Sequence, residues 1–187
     1  MVLKLIKRYP EIFFLIKIIF LYCLFNYGSK FWIGITTKEN LYCEFCDTNL
    51  NYIKWLRHSI LLGAKAVCNG LGHSTEIINT TIIRFKNGFG VTMIYNCIGI
   101  SVLSSWAAVA IAYNNPIKRK LFWLFSGLFL IWFINVLRIV TLLVLFNTYK
   151  DPNRFENHHE IFNTIAYAFV LGMIYFYLKD KKDLTKY

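Results

Sequence analysis

The sequence predicts an all-α integral membrane protein with about four spanning helices, an outer amphipathic helix and a small β-hairpin. Three observations carry that expectation. Of 187 residues, 57% are hydrophobic and 18% aromatic, and only 17% are charged, where an ordinary soluble domain carries about a quarter. Several uncharged apolar runs approach the roughly 20 residues needed to cross about 30 Å of hydrocarbon. The 21 Lys and Arg, which with 10 Asp and Glu give a charge of +11, fall in short blocks between those runs. They therefore read as membrane-flanking charge and not as a nucleic-acid face. Ten glycines and three prolines exclude collagen-like or low-complexity sequence, and five cysteines are too few, and odd, for a disulfide scaffold. The length suits one domain over 1–187.

The first span is Ile12–Tyr27, an apolar stretch interrupted by Lys17 and preceded by Lys4, Lys7 and Arg8. Its bulky end, Tyr22-Cys23-Leu24-Phe25-Asn26-Tyr27, lacks the small residues of a signal-peptidase site, so it reads as a retained helix. Residues 28–95 form an outer or interfacial region. Within it, Asn51–Leu71 has apolar residues at helical spacing (Ile53, Leu56, Ile60, Leu61, Ala64) together with Lys54, Arg57, His58 and Lys65. That pattern is an amphipathic helix on the interface or packed on the bundle, with a spanning role as the alternative. Thr75–Tyr95 is rich in β-branched residues around Lys86-Asn87-Gly88, which predicts the hairpin. Three further spans follow: Ile98–Ile117, Leu121–Phe146 with Arg138 as its charge, and Ile161–Leu178.

Short Lys/Arg-rich segments stay on the cytoplasmic side. Lys118-Arg119-Lys120, the N-terminal block and Lys179-Asp180-Lys181-Lys182 are then all inside, giving an N-in/C-in protein. Gly28–Cys97 and Asn147–Glu160 face outward. This topology places Cys97 at the outer mouth of the second span and His158 and His159 just before the outer end of the fourth. Arg138, eight residues from Phe146, lies about 12 Å deep at 1.5 Å per residue.

Arg138 is the firmest clue, because a charge inside a spanning helix costs several kcal/mol and marks function unless it snorkels or pairs structurally with Glu156 or Glu160. Asn135, three residues earlier, shares its face and is positioned to hold the guanidinium. A lone cysteine is ordinarily a small buried hydrophobe. At Cys97 the strand-to-helix change and Gly99 give it a second reading, a reactive thiol near a helix N-terminus. His158 and His159 point about 100° apart on a helix, so one of them is a bystander. An imidazole beside a thiol is what base activation of a nucleophile requires, whereas a loop or cap role beside Asn157 is the bland alternative.

Cys43-Glu44-Phe45-Cys46 has redox or metal spacing. No second cysteine pair follows, and His58 and His73 complete no zinc pattern, so a local disulfide is expected beside the alternative of two thiols. No Gly-rich phosphate loop occurs, and no cofactor or metal is expected.

Three blocks in order, Asn96-Cys97-Ile98-Gly99-Ile100, Asn135-Val136-Leu137-Arg138-Ile139 and His159-Glu160-Ile161-Phe162-Asn163, resemble the Cys, Arg and His blocks of the exosortase/archaeosortase family. The likeness is to the short bacterial members that retain only the core. It covers roughly Gly90–Tyr177, and the Asn-Val-Leu-Arg-Ile block is its most specific piece. The N-terminal half is similar only as hydrophobic helix. The resemblance implies a cysteine transpeptidase or protease of the bacterial inner membrane, acting on its outer side. Its substrates would be membrane-anchored proteins bearing a C-terminal sorting signal (a motif, a transmembrane helix and a basic cluster), with a lipid or glycan as a possible acceptor. Carried onto this chain, Cys97 is the nucleophile, His159 the proton-transfer partner and Arg138 the residue that stabilises the charged intermediate. The chain departs from the family pattern at Ile98, where a small residue such as Ser is common, and at Asn163, where a Gly is common. The second departure leaves His158 as an alternative to His159.

Two other functional classes fit parts of the sequence. One is a non-enzymatic polytopic partner or transport subunit that uses Arg138 to bind an anion or another subunit. The other is a thiol-redox membrane protein built on Cys43 and Cys46.

Overall fold

The computed structural model describes residues 10–38, 41–150 and 158–184, with side chains described except at 10, 158–161, 163 and 180–184. The N-terminal basic block Lys4, Lys7 and Arg8, and positions 151–157 of the expected outer connection, lie outside the described residues.

Helix α1 spans Pro10–Thr36 and starts on a proline, whose missing N–H costs nothing in the first helical turn. It contains the expected Ile12–Tyr27 span but continues past it, so Gly28–Thr36 is helix rather than outer loop. The reason is local: beyond Lys30 the sequence Phe31-Trp32-Ile33-Gly34-Ile35 is again apolar and contains no breaker strong enough to stop the helix. At its end, the hydroxyls of Thr36 and Thr37 donate to the carbonyls of Trp32 (2.9 Å) and Ile33 (2.7 Å), satisfying acceptors that a helix terminus leaves open.

A short helix, α2 (Glu44–Asn49), leads to α3 (Tyr52–Gly70). The Asn51 side chain caps α3 by accepting from the Lys54 N–H at 2.9 Å. Ile53, Ile60, Leu61, Ala64 and Cys68 form its buried face. This face packs on the bundle, the second of the two placements open to an amphipathic helix. Gly63 makes that approach possible: a Cβ there would stand 2.8 Å from Val136 Cγ2. Nearby, the indole N–H of Trp132 donates to Ser59 Oγ at 3.0 Å. The helix is not among those long and apolar enough to cross a membrane.

The predicted hairpin is one half of a three-stranded antiparallel sheet in the order β1 (Thr75–Ile78), β2 (Ile82–Phe85), β3 (Gly90–Thr92). β2 and β3 flank the Lys86-Asn87-Gly88 turn, and β1 is the addition. The β1–β2 turn depends on Asn79 at φ 54°, a left-handed conformation that Asn tolerates better than most residues. Register pairs Ile77 with Ile83 and Ile83 with Val91, so these three share one face. Ile83 and Val91 enter the core with α3 and the following helices.

Three helices complete the chain: α4 (Ile100–Ala112), α5 (Ile117–Tyr149) and α6 (His158–Leu184). The expected Ile98–Ile117 span does not run through. Asn114-Asn115-Pro116 ends it at Ala112, because a residue before proline avoids the α region. The Lys120 ammonium closes this end by donating to the Ile111 carbonyl at 3.0 Å. By length and composition Glu11–Thr36, Tyr95–Ala112 and Ile117–Tyr149 suffice to cross a membrane, and α6 contributes a shorter apolar stretch, Thr164–Lys179. The molecule is thus a multi-pass, mostly helical membrane protein with a small sheet.

The ends of these helices are sorted. Phe14 near the start of α1 meets Tyr113 edge-on, with ring centroids 5.8 Å apart, and the Tyr177 hydroxyl donates to the Ala110 carbonyl at 3.1 Å. Trp106, fully buried, lies against Gly127, where any side chain would collide with its indole. The beginnings of α1 and α5 and the ends of α4 and α6 therefore gather at one end of the bundle. A second core cluster, built from α3, the sheet and the Val136–Leu143 part of α5, surrounds Cys97.

Candidate active site

Cys97 belongs to a 3₁₀ turn, Tyr95–Ile98, between β3 and α4. Its N–H donates to the Ile94 carbonyl at 2.9 Å. Gly99 then takes φ 76° and joins the turn to α4, a left-handed position that a residue with a Cβ fills only under strain. Close packing adds to the requirement, since a Cβ on Gly99 would stand 3.1 Å from the Asn135 amide nitrogen.

Arg138 lies on α5 opposite this turn. Its Nη2 donates toward Cys97 Sγ at 3.9 Å, and its guanidinium carbon is 5.5 Å from the centre of the Phe162 ring on α6. The two residues are only 4% and 6% exposed, so a cation and a thiol face each other inside the protein. Its helix position makes Asn135 a candidate to hold this guanidinium. Instead, Asn135 Nδ2 donates to the Ile98 carbonyl at 3.1 Å. Sharing a helix face with Arg138 brought the amide near the site, but the carbonyl of the 3₁₀ turn is the acceptor it meets.

Two cavities meet at Gly99 and Val102. One of about 20 Å³ is lined by Asn135, Arg138 and Phe162 among others, a volume suited to a single water-sized group. The other, about 290 Å³, lies toward α1 and is lined by Asn26, Lys30, Tyr95, Asn96, Ser101 and Tyr167 among others, which approaches the size of a small-ligand site. Asn26 is buried and accepts from the Ser101 hydroxyl at 3.1 Å. A polar wall of this kind was not anticipated for α1, although an Asn amid an apolar run is the signal that could have suggested it.

Arg57 was also missed. It reads as part of a solvated face, yet it is only 8% exposed. Its guanidinium lies 5.2 Å from the Tyr95 ring centre, and Nη2 reaches Thr80 Oγ1 at 3.5 Å. The spacing Ile53, Arg57, Ile60, Ala64 places it on the apolar face, and that was legible. It stacks near Tyr95, two residues before Cys97 and itself part of the lining of the larger cavity.

His158 and His159 open α6, one turn before Phe162. Their side chains lie outside the described residues, so of the three expected site residues the structure brings together Cys97 and Arg138. The Cys43–Cys46 pair, for which a disulfide and two thiols were both open, stands apart from this site with its sulfurs 2.6 Å apart and no bond between them.

The family model for transmembrane exosortases matches residues 43–176. The match begins well before Gly90, so α3 and the sheet belong to the similar region and the N-terminal part of the likeness is more than hydrophobic helix. No curated protein and no solved structure matches the chain.

Proposed function

This chain belongs to the transmembrane exosortase family, and from that premise we propose that it is a membrane-embedded cysteine transpeptidase or protease working as one domain over 1–187. Its substrates are proteins with a C-terminal sorting signal of motif, transmembrane helix and basic cluster. The observation that supports this reading is the 3.9 Å approach of Arg138 to the Cys97 sulfur in a buried site.

The chemistry is acyl transfer. His159 takes the Cys97 proton, and the thiolate attacks the scissile carbonyl. Negative charge passes from sulfur to oxygen, and Arg138 balances it together with backbone N–H groups at Gly99. Such donors contribute a few kcal/mol each when water is excluded. The small cavity beside Arg138 suits a single oxyanion, and the larger one across Gly99 suits the flanking peptide. Collapse of the intermediate expels the amine, to which His159 returns the proton, and leaves a thioacyl-enzyme, which water or an acceptor amine on a lipid or glycan resolves with His159 again as base. The site faces the outer side of a bacterial inner membrane.

The deciding experiment follows a tagged sorting-signal protein in membranes carrying the wild type or Cys97→Ala. Loss of processing with normal membrane levels of the variant is expected. Full processing by Cys97→Ala would turn the reading toward a non-enzymatic partner that uses Arg138 for binding.

A further inference from the structure

Cys43 and Cys46 take no part in the chemistry above. Cys43 caps α2, its sulfur accepting from the Cys46 N–H at 3.4 Å, and the two Sγ atoms stand 2.6 Å apart. The pair is held in place from both sides. The Cys43 N–H donates to the Ile35 carbonyl near the end of α1 at 2.9 Å, and the Cys43 carbonyl accepts from the Asp47 N–H at 3.0 Å. Both cysteines are partly exposed, whereas Cys68 and Cys97 are buried. Leu41 and Phe45, on either side of Cys43, lie at the surface at 83% and 66% exposure, so a reactant has open access.

We propose that Cys43 and Cys46 form a thiol–disulfide exchange site, with Cys43 as the attacking thiol and Cys46 as the resolving one. The two sulfurs are unequal. The Cys46 N–H donates to the Cys43 sulfur, and the close contact with Cys46 holds the Cys43 thiol below its ordinary range while the same contact pushes Cys46 up. Thiolate fraction and access govern which sulfur attacks.

The reactant is a disulfide, written RS–SR′. The Cys43 thiolate bonds to one of its sulfurs, the S–S bond breaks, and R′S⁻ leaves and takes up a proton. Cys46 then loses its proton and attacks the Cys43 sulfur, forming the Cys43–Cys46 bond and expelling RS⁻, which is protonated in turn. Two electrons pass from the pair to the reactant, and two protons accompany them. Excess thiol reverses every step. The oxidised pair closes residues 43–46 covalently, beside the hydrogen bond that ties Cys43 to the end of α1.

The test uses the full chain in detergent, equilibrated in buffers that run from reduced to oxidised glutathione, then acid-quenched, alkylated and mapped by peptide mass. One two-electron transition confined to Cys43 and Cys46 is expected. Cys46→Ser should accumulate a glutathione adduct on Cys43 at least about tenfold faster than Cys43→Ser accumulates one on Cys46. Serine retains the capping oxygen, and a melting curve checks each variant. A pair that stays as two thiols in the most oxidising buffer would overturn the proposal, and that measurement needs no variant. Equal adducts on the two variants would remove the assigned roles. Processing of sorting-signal proteins does not enter the readout, so the outcome is independent of the reading of Cys97.

Discussion

Asn135 and Ile98 join α5 to the turn that carries Cys97: the amide donates to the Ile98 carbonyl at 3.1 Å, and both residues are buried. The bond lies one residue from Cys97 on one chain segment and three from Arg138 on the other. It therefore fixes the spacing between the cation and the thiol.

Removing that donor should damage both stability and the site. In Asn135→Ala the Ile98 carbonyl loses its partner in the core, which costs about 1–3 kcal/mol. Asn135→Asp replaces a donor by an acceptor facing a carbonyl and should be at least as harmful. A detergent melting curve and the alkylation rate of Cys97 measure the two effects. Unchanged values in Asn135→Ala would mean that the bond does not hold the turn.

Arg138→Lys should lose most processing although the charge remains. A guanidinium presents a planar fork of donors, and an ammonium is a compact point charge on a different stem. Loss of one such donor in a water-poor site is worth roughly a hundredfold or more in rate. Processing is followed by the shift of a tagged substrate on gels, with membrane abundance of the variant as control. Normal processing, or disappearance of the protein from the membrane, would make Arg138 structural.

The spans and the Lys86-Asn87-Gly88 turn were legible because composition and turn chemistry act locally. The continuation of α1 to Thr36 was obscured by Gly28, Ser29 and Lys30, which resemble a helix end when the apolar residues beyond them are ignored. The third strand depends on Asn79 accepting a left-handed conformation, which sequence permits but does not require. Asn135 and Arg57 show a different limit. Helical spacing correctly placed each on a face, yet the partner each one meets comes from a distant segment: the Ile98 carbonyl for the first, Tyr95 and Thr80 for the second. Only the packing of α3, α5 and the Cys97 turn determines those partners.

The sorted helix ends lead to a topology test. Asn115 lies between α4 and α5, at the end where Phe14 meets Tyr113 and where the Lys118-Arg119-Lys120 block stands. Asn87 lies in the β2–β3 turn, which Asn147 binds through the Phe89 N–H (2.7 Å) and carbonyl (3.1 Å) beyond the other end of the bundle. The positive-inside rule predicts the first inside and the second outside. Single cysteines at these positions, in a chain whose other cysteines are replaced, should react with an impermeant maleimide at 87 in intact cells and at 115 only after lysis. The reverse pattern would put the Cys97 site on the cytoplasmic side.

The last prediction separates the two histidines. Both begin α6, three and four residues before Phe162, whose ring lies beside the Arg138 guanidinium. Adjacent residues on a helix diverge by about 100°, so only one imidazole can reach the Cys97 sulfur at hydrogen-bonding distance. The family likeness assigns that role to His159, so His159→Ala should abolish processing and His158→Ala should be mild. A base that stabilises the thiolate also speeds alkylation, so the Cys97 rate should fall in His159→Ala alone. Both quantities are measured in membranes of each variant, with Cys23, Cys43, Cys46 and Cys68 replaced. A selective loss in His158→Ala would transfer the role to that residue, and equal behaviour of the two variants in both assays would refute a Cys–His pair.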